Sequence, residues 1–166
     1  MASEPSIDIE VDRPLQERHW LFSRVLWAIM LALILVALLG LTGSGGPLSR
    51  QQVAAGPAEL DIPRVSRWEA ADELTVEIDQ AAPGEIEVMV PKKFGEIFAI
   101  ESVTPQPSSV SATPDGYRYA FASTNGAGER SIVFSIRASH VLLPSRMGRF
   151  AVNGERTAEL PIVVLP

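Results

Sequence analysis

Residues 25–41, VLWAIMLALILVALLGL, are apolar without a break, and the Trp27 indole is their only hydrogen-bonding side chain. With Trp20, Leu21, Phe22 and Ser23 in front, the run is long enough to cross a hydrocarbon core about 30 Å thick at ~1.5 Å per residue. Eleven of the 17 residues are Leu, Ile or Val, which together favour insertion by on the order of 3 to 7 kcal/mol. Arg24 stands at the edge, where its stem can snorkel to the headgroups, and Trp20 and Trp27 lie near that edge as an aromatic belt would. The pattern predicts one transmembrane helix. Asp12-Arg13-Pro14 reads as its start, an acidic N-cap with proline in the first turn, followed by the amphipathic juxtamembrane turns LQERHWLFSR. A cleaved secretory signal is the rival reading. Such signals have apolar regions of about 7–15 residues that end close to a small-x-small site. Here the one tempting site, Val53-Ala54-Ala55, lies well past the run, and a 24-residue arm precedes it.

From Ala58 onward the apolar positions recur every second residue. Leu74, Val76 and Ile78 alternate with Thr75, Glu77 and Asp79; Ile86, Val88 and Val90 with Glu85, Glu87 and Met89. Tyr117, Tyr119 and Phe121 continue the pattern, as do Ile132, Phe134 and Ile136. One buried and one wet face is the signature of antiparallel sheets. Turn signals punctuate the runs at Pro83-Gly84, Pro114-Asp115-Gly116, Asn125-Gly126 and Asn153-Gly154. The last predicts a tight hairpin pairing Phe150 to Val152 with Thr157 onward. Strands are expected near 59–67, 73–80, 85–91, 96–103, 108–112, 117–123, 130–138, 148–153 and 156–165, with no helical period after residue 57. Short strands at this spacing predict an antiparallel immunoglobulin-like β-sandwich, here without the Cys…Trp…Cys hallmark, with a small β-barrel as the alternative. Prolines 91, 105, 107, 144, 161 and 166 are expected mostly at strand ends, with Pro161 on an edge.

Between helix and strands, TGSGGPLS at 42–49 reads as a flexible linker, and RQQVAAGP at 50–57 as its continuation. The expected organisation is a disordered cytoplasmic tail at 1–12, a juxtamembrane and transmembrane helix at 13–42, a linker at 43–57 and an extracytoplasmic sandwich at 58–166.

Composition narrows the chemistry. The 166 residues contain no cysteine and two histidines, His19 and His140. Disulfides, thiolate metal sites and multi-histidine metal sites are therefore excluded. The net charge of −6 argues against nucleic acid, whose phosphates demand positive charge. Arg13, Arg18 and Arg24 precede the apolar run closely, while only Arg50 follows within 20 residues. The positive-inside rule then puts the N-terminus in the cytoplasm and the C-terminal domain outside.

Chemistry-bearing residues are sparse. His140 in SHVLLPS lacks a Gly-x-Ser-x-Gly elbow and reads as a loop histidine. Glu69, Asp72 and Glu73 in WEAADE lack the alternation and glycine of a calcium loop and read as a solvated turn. Lys92 and Lys93 in VPKKFGE read as solubilising, with a specific anion site as the sharper alternative. Leu142, Leu143 and Met147 either plug the end of the sandwich or mark a contact surface. Arg18, His19 and Arg24 suit headgroup anchoring or a docking surface. Ala28 with Ala32 forms a faint small-xxx-small pattern of the kind that lets helices approach.

At DRPLQERHW, then FSRVLW, an apolar span and LLGLTGSGGPLS, the chain resembles a group of small bacterial single-pass membrane proteins of unassigned activity. They share an Arg-Pro-Leu-Gln-Glu-Arg-x-Trp juxtamembrane motif and a β-rich outer domain, and some are encoded beside YetF-like membrane proteins. The match is good over 12–49 and looser beyond. The resemblance implies an accessory role with an integral membrane partner and supplies no catalytic residues. The expected function is a non-enzymatic, cofactor-free accessory or interaction protein in the inner membrane of a bacterial envelope. Its expected partners are the lipid bilayer and an integral membrane protein. Contacts with that protein are expected from Arg13, Gln16, Glu17, Arg18, Trp20, Arg24, Ala28 and Ala32. An envelope module binding a ligand or glycan, and an anchored hydrolase, are the alternatives.

Overall fold

The computed structural model describes residues 13–40, 46–78, 84–122 and 130–166, with side chains from Gln16 onward. The expected tail at 1–12, the first residues of the expected linker and the Asn125-Gly126 turn lie outside the described residues. The helix and the β domain form separate compact units, the first ending at Val36 and the second beginning at Ala37.

Helix α1 spans Arg13–Leu38. Leucine and alanine dominate its middle, so propensity and hydropathy agree. The stretch Gln16–Leu38, 23 residues, is long and apolar enough to cross a membrane. All of its side chains are exposed. The helix stops at Gly40, whose φ of +78° is the left-handed conformation that glycine adopts freely after a helix end. Its N–H reaches back to the Ala37 carbonyl at 3.0 Å.

The β domain starts earlier than its alternation predicts. Strand β1 is Arg50–Ala55, inside the segment expected to be a tether. It pairs antiparallel with β2, Ala58–Pro63, through a turn at Gly56. Val53 and Ala55 point toward the core, but three polar residues in RQQ hide the alternation at the start of the strand. Strands β4 (Ala71–Ile78), β9 (Arg130–Ala138) and β6 (Phe98–Thr104) complete a five-stranded antiparallel sheet in the order β1-β2-β4-β9-β6. A second five-stranded antiparallel sheet holds β12 (Glu155–Arg156), β11 (Ala151–Val152), β5 (Ile86–Pro91), β8 (Gly116–Phe121) and β7 (Ser109–Thr113), in that order.

The two sheets face one another across one core. Phe134 of the first sheet meets Tyr119 and Phe121 of the second edge-on, with centroids 5.2 and 6.4 Å apart. Leu60, Leu74, Val76, Val88, Val90 and Ile136 fill the same layer. Both sheets keep open edges, at β1 and β6 and at β12 and β7. The domain is therefore a sandwich, and the barrel alternative does not hold.

A small third sheet corrects the expected strand at 59–67. The chain leaves the first sheet after Pro63, and β3, Val65–Arg67, joins β10 (Leu142–Arg146) and β13 (Pro161–Leu165) in the order β10-β13-β3. Here β13 runs parallel to β3, an exception to the antiparallel rule. Pro161 opens the central strand of this sheet rather than lying on an edge, and a strand's first residue tolerates a missing N–H. Pro144 lies within β10, an edge strand, where the register slips between Leu142 and Ser145. The segment between the expected strands 130–138 and 148–153 is thus partly a strand.

A short helix also appears where none is expected: α2, Lys92–Ile97. Six residues are too few for a visible helical period. Phe94 and Ile97, three apart, are buried, and Phe94 stacks near Phe98 and Phe150 at 4.9 and 5.1 Å. The helix carries the chain from β5 in one sheet to β6 in the other, so β6 starts at Phe98 rather than at 96.

Candidate functional site

Every sequence-designated contact residue lies on α1. Gln16, Glu17, Arg18, Trp20, Arg24, Ala28 and Ala32 have exposed side chains there, and Arg13 opens the helix. At about 100° per residue, Gln16, Glu17, Trp20, Arg24 and Ala28 share one strip, related by steps of three and four. Arg18 falls on a different side, roughly 100° from Glu17. The Arg24 guanidinium sits 4.0 Å from the Trp20 ring centroid. That cation–π contact joins the two groups a membrane interface favours.

In the β domain, the acidic turn is not wholly solvated. Asp72 is buried and accepts a hydrogen bond from Arg50 Nη1 at 3.2 Å. Arg50 Nε also donates to Asp61 Oδ2 at 2.8 Å, and Nη2 to the Glu73 carbonyl at 2.9 Å. One guanidinium therefore ties β1 to β2 and β4, a structural role that the WEAADE motif alone does not reveal. Glu69 and Glu73 are exposed, as is His140 in the bend between β9 and β10. Among the described residues no cluster of three or more His, Asp or Glu is arranged to hold a metal. The apolar residues at 142–147 divide their roles: Met147 is fully buried, whereas Leu143 is 82% exposed.

A cleft of about 460 Å³ opens beside α2. Met89 and Pro91 of β5, Lys92 and Lys93 of α2, Pro114 and Asp115 of the β7–β8 turn, Gly148, Arg149, Arg156 and Glu159 line it. Local geometry brings these segments together. The Lys92 N–H donates to the Asp115 carbonyl at 2.9 Å. Arg156 pairs with Ala151, and Ala151 with Met89, across β12, β11 and β5. Gly148 has φ +95°, and a Cβ there would lie 3.1 Å from Pro91 Cβ. Glu159 accepts a hydrogen bond from Arg146 at 2.9 Å. That bond holds its carboxyl below the ordinary carboxylate range; burial opposes the shift, and the positive charges of Arg146, Arg149 and Lys93 add to it. Arg149 and Arg156 are functional candidates that motif reading misses. The one signal in the sequence is that Lys92 and Lys93 are the chain's only lysines.

No protein-family model matches the chain, and no curated protein matches it. Among solved structures, a non-cellulosomal cohesin from the hyperthermophilic archaeon Archaeoglobus fulgidus is similar, with a TM-score of 0.42 and 13% identity. The similarity covers 61% of this chain and 86% of that one.

Proposed function

We propose that the chain is a single-pass, non-enzymatic accessory protein of a bacterial envelope, with α1 in the inner membrane and the sandwich on its outer side. The observation that carries this reading is the contrast between the two units. The Gln16–Leu38 stretch of α1 is exposed along its length, while the β domain closes a core of its own. An apolar helix without a protein cover needs a lipid or protein environment. The distribution of Arg13, Arg18 and Arg24 against Arg50 supports a cytoplasmic N-terminus.

The partner is an integral membrane protein of the YetF-like kind that the juxtamembrane motif implies. It meets the strip that carries Gln16, Glu17, Trp20, Arg24 and Ala28, with Arg18 and Ala32 on its flanks and Arg13 at the start of the helix. Charge pairs are stronger at a low-dielectric interface than in bulk water, so Glu17 and Arg18 suit partner selection there. Replacing Arg13–Leu38 by an unrelated span of equal length and charge tests the reading. The chimera is expected to insert and fold its β domain but to lose the partner in co-purification. Retention of the partner, with loss instead on altering 141–149, would move the interaction to the β domain and overturn the proposal.

A further inference from the structure

We propose that the cleft beside α2 binds a phosphorylated ligand carrying at least two negative charges. Four basic side chains line it, Lys92, Lys93, Arg149 and Arg156, against the acids Asp115 and Glu159. That leaves a surplus of two positive charges in a chain whose net charge is −6. Both lysines of the sequence are spent here. Among the described residues none of the four basic groups makes an ion pair. They come from three places in the chain, and only tertiary packing brings them together. Asp115 and Glu159 offset half of their charge, and the positive surplus that remains around one cleft favours an anion.

The composition of the lining selects the ligand. Arginine forks match phosphate oxygens in pairs, and ammonium groups add point charge without fixed geometry. A volume near 460 Å³ falls within the range of small-molecule sites, about 300 to 1,000 Å³. The Glu159 carboxyl is held low chiefly by its hydrogen bond from Arg146, outside the cleft, and Arg149 and Lys93 add smaller contributions. Gly148 brings the β10–β11 segment against Pro91, where a side chain would crowd the wall. The site belongs to the β domain alone and stands whatever the role of α1.

The test uses the full chain in zwitterionic detergent micelles. Amine acylation read by mass spectrometry reports on Lys92 and Lys93, with the N-terminal amine as internal control. Inorganic pyrophosphate is expected to protect both lysines saturably and to bind more weakly as salt rises. Charge reversal by Lys93→Glu with Arg149→Glu is expected to weaken binding by at least about ten-fold, with an unchanged melt, because both groups are exposed. The Lys93→Arg with Arg149→Lys pair keeps the charge and is expected to retain most of the affinity. A second arm replaces pyrophosphate by cardiolipin, whose headgroup carries two phosphodiester charges, mixed into the micelles. Protection in that arm alone identifies a lipid headgroup, and protection by pyrophosphate identifies a soluble phosphate. Protection in neither arm overturns the proposal, as does equal binding by the folded charge-reversal variant. Citrate binding as tightly as pyrophosphate overturns the phosphate assignment.

Discussion

Tyr119 sits edge-on against Phe134, with ring centroids 5.2 Å apart and planes at 88°. Burial raises its phenol above the ordinary 10.0, and the neighbouring Tyr117 adds to the shift. A raised folded-state value means that the native protein holds this proton more tightly than the unfolded chain does. The stabilisation is complete below the ordinary phenol range and is lost as pH rises through the raised value. Tyr119→Phe removes that component while keeping the ring. Urea melts at about pH 8 and about pH 11 are expected to differ less for the variant than for the wild type. Equal differences would show that the phenol contributes nothing. Alternation at 117, 119 and 121 already marks Tyr119 as inward-facing, as it does Phe121, whereas Tyr117, expected on the same face, is exposed. The Tyr119 partner Phe134 lies on another strand of another sheet, and no local pattern joins them.

Elements show where periodicity succeeds and where it stops. Asn153-Gly154 forms the expected tight turn, with both residues at positive φ. Ala151 and Val152, however, face Arg156 and Glu155 rather than Thr157 onward, and the expected strand 156–165 is split between β12 and β13 in different sheets. The Thr157 N–H then reaches the Phe150 carbonyl at 2.9 Å. This turn is legible because its chemistry is local. Strand β1 is not, because the polar RQQ hides its alternation, and the Arg50 guanidinium also reaches Asp61 and Asp72, 11 and 22 residues away. The expected outcome is that a fragment of 46–166 is more stable than one of 58–166. The shorter fragment leaves Asp72 buried without its guanidinium and uncovers Ala58 beside the lost edge. The deficit should be about 2–4 kcal/mol, toward the lower side for a partly exposed arginine. Urea midpoints and slopes of the two fragments decide it, and indistinguishable midpoints would reduce β1 to a passive tether.

At the scale of the whole molecule, the anchored arrangement is tested by position rather than by stability. A reporter enzyme active only outside the cytoplasm, fused after Pro166, is expected to be active. Activity of a cytoplasm-only reporter at the same junction would reverse the orientation. The measurement also bears on the cleft, since the side of the membrane decides which phosphorylated compounds it meets.

Residue pattern suffices for features that repeat over a few residues: an apolar run of membrane length, a switch to a two-residue period, the Asn-Gly turn and the lack of cysteine chemistry. These follow from steric and solvation preferences that each segment carries alone. Tertiary structure alone decided that RQQVAA is a sheet edge, that KKFGEI coils into α2 to cross between sheets, and that β13 lies parallel to β3. It also decided that Arg149 and Arg156 stand beside Lys92 and Lys93. Apart from β1, whose partner β2 follows directly, each of these depends on a partner far along the chain, and pairing over such distances is selected by the packing of the whole core, which no window of neighbouring residues contains.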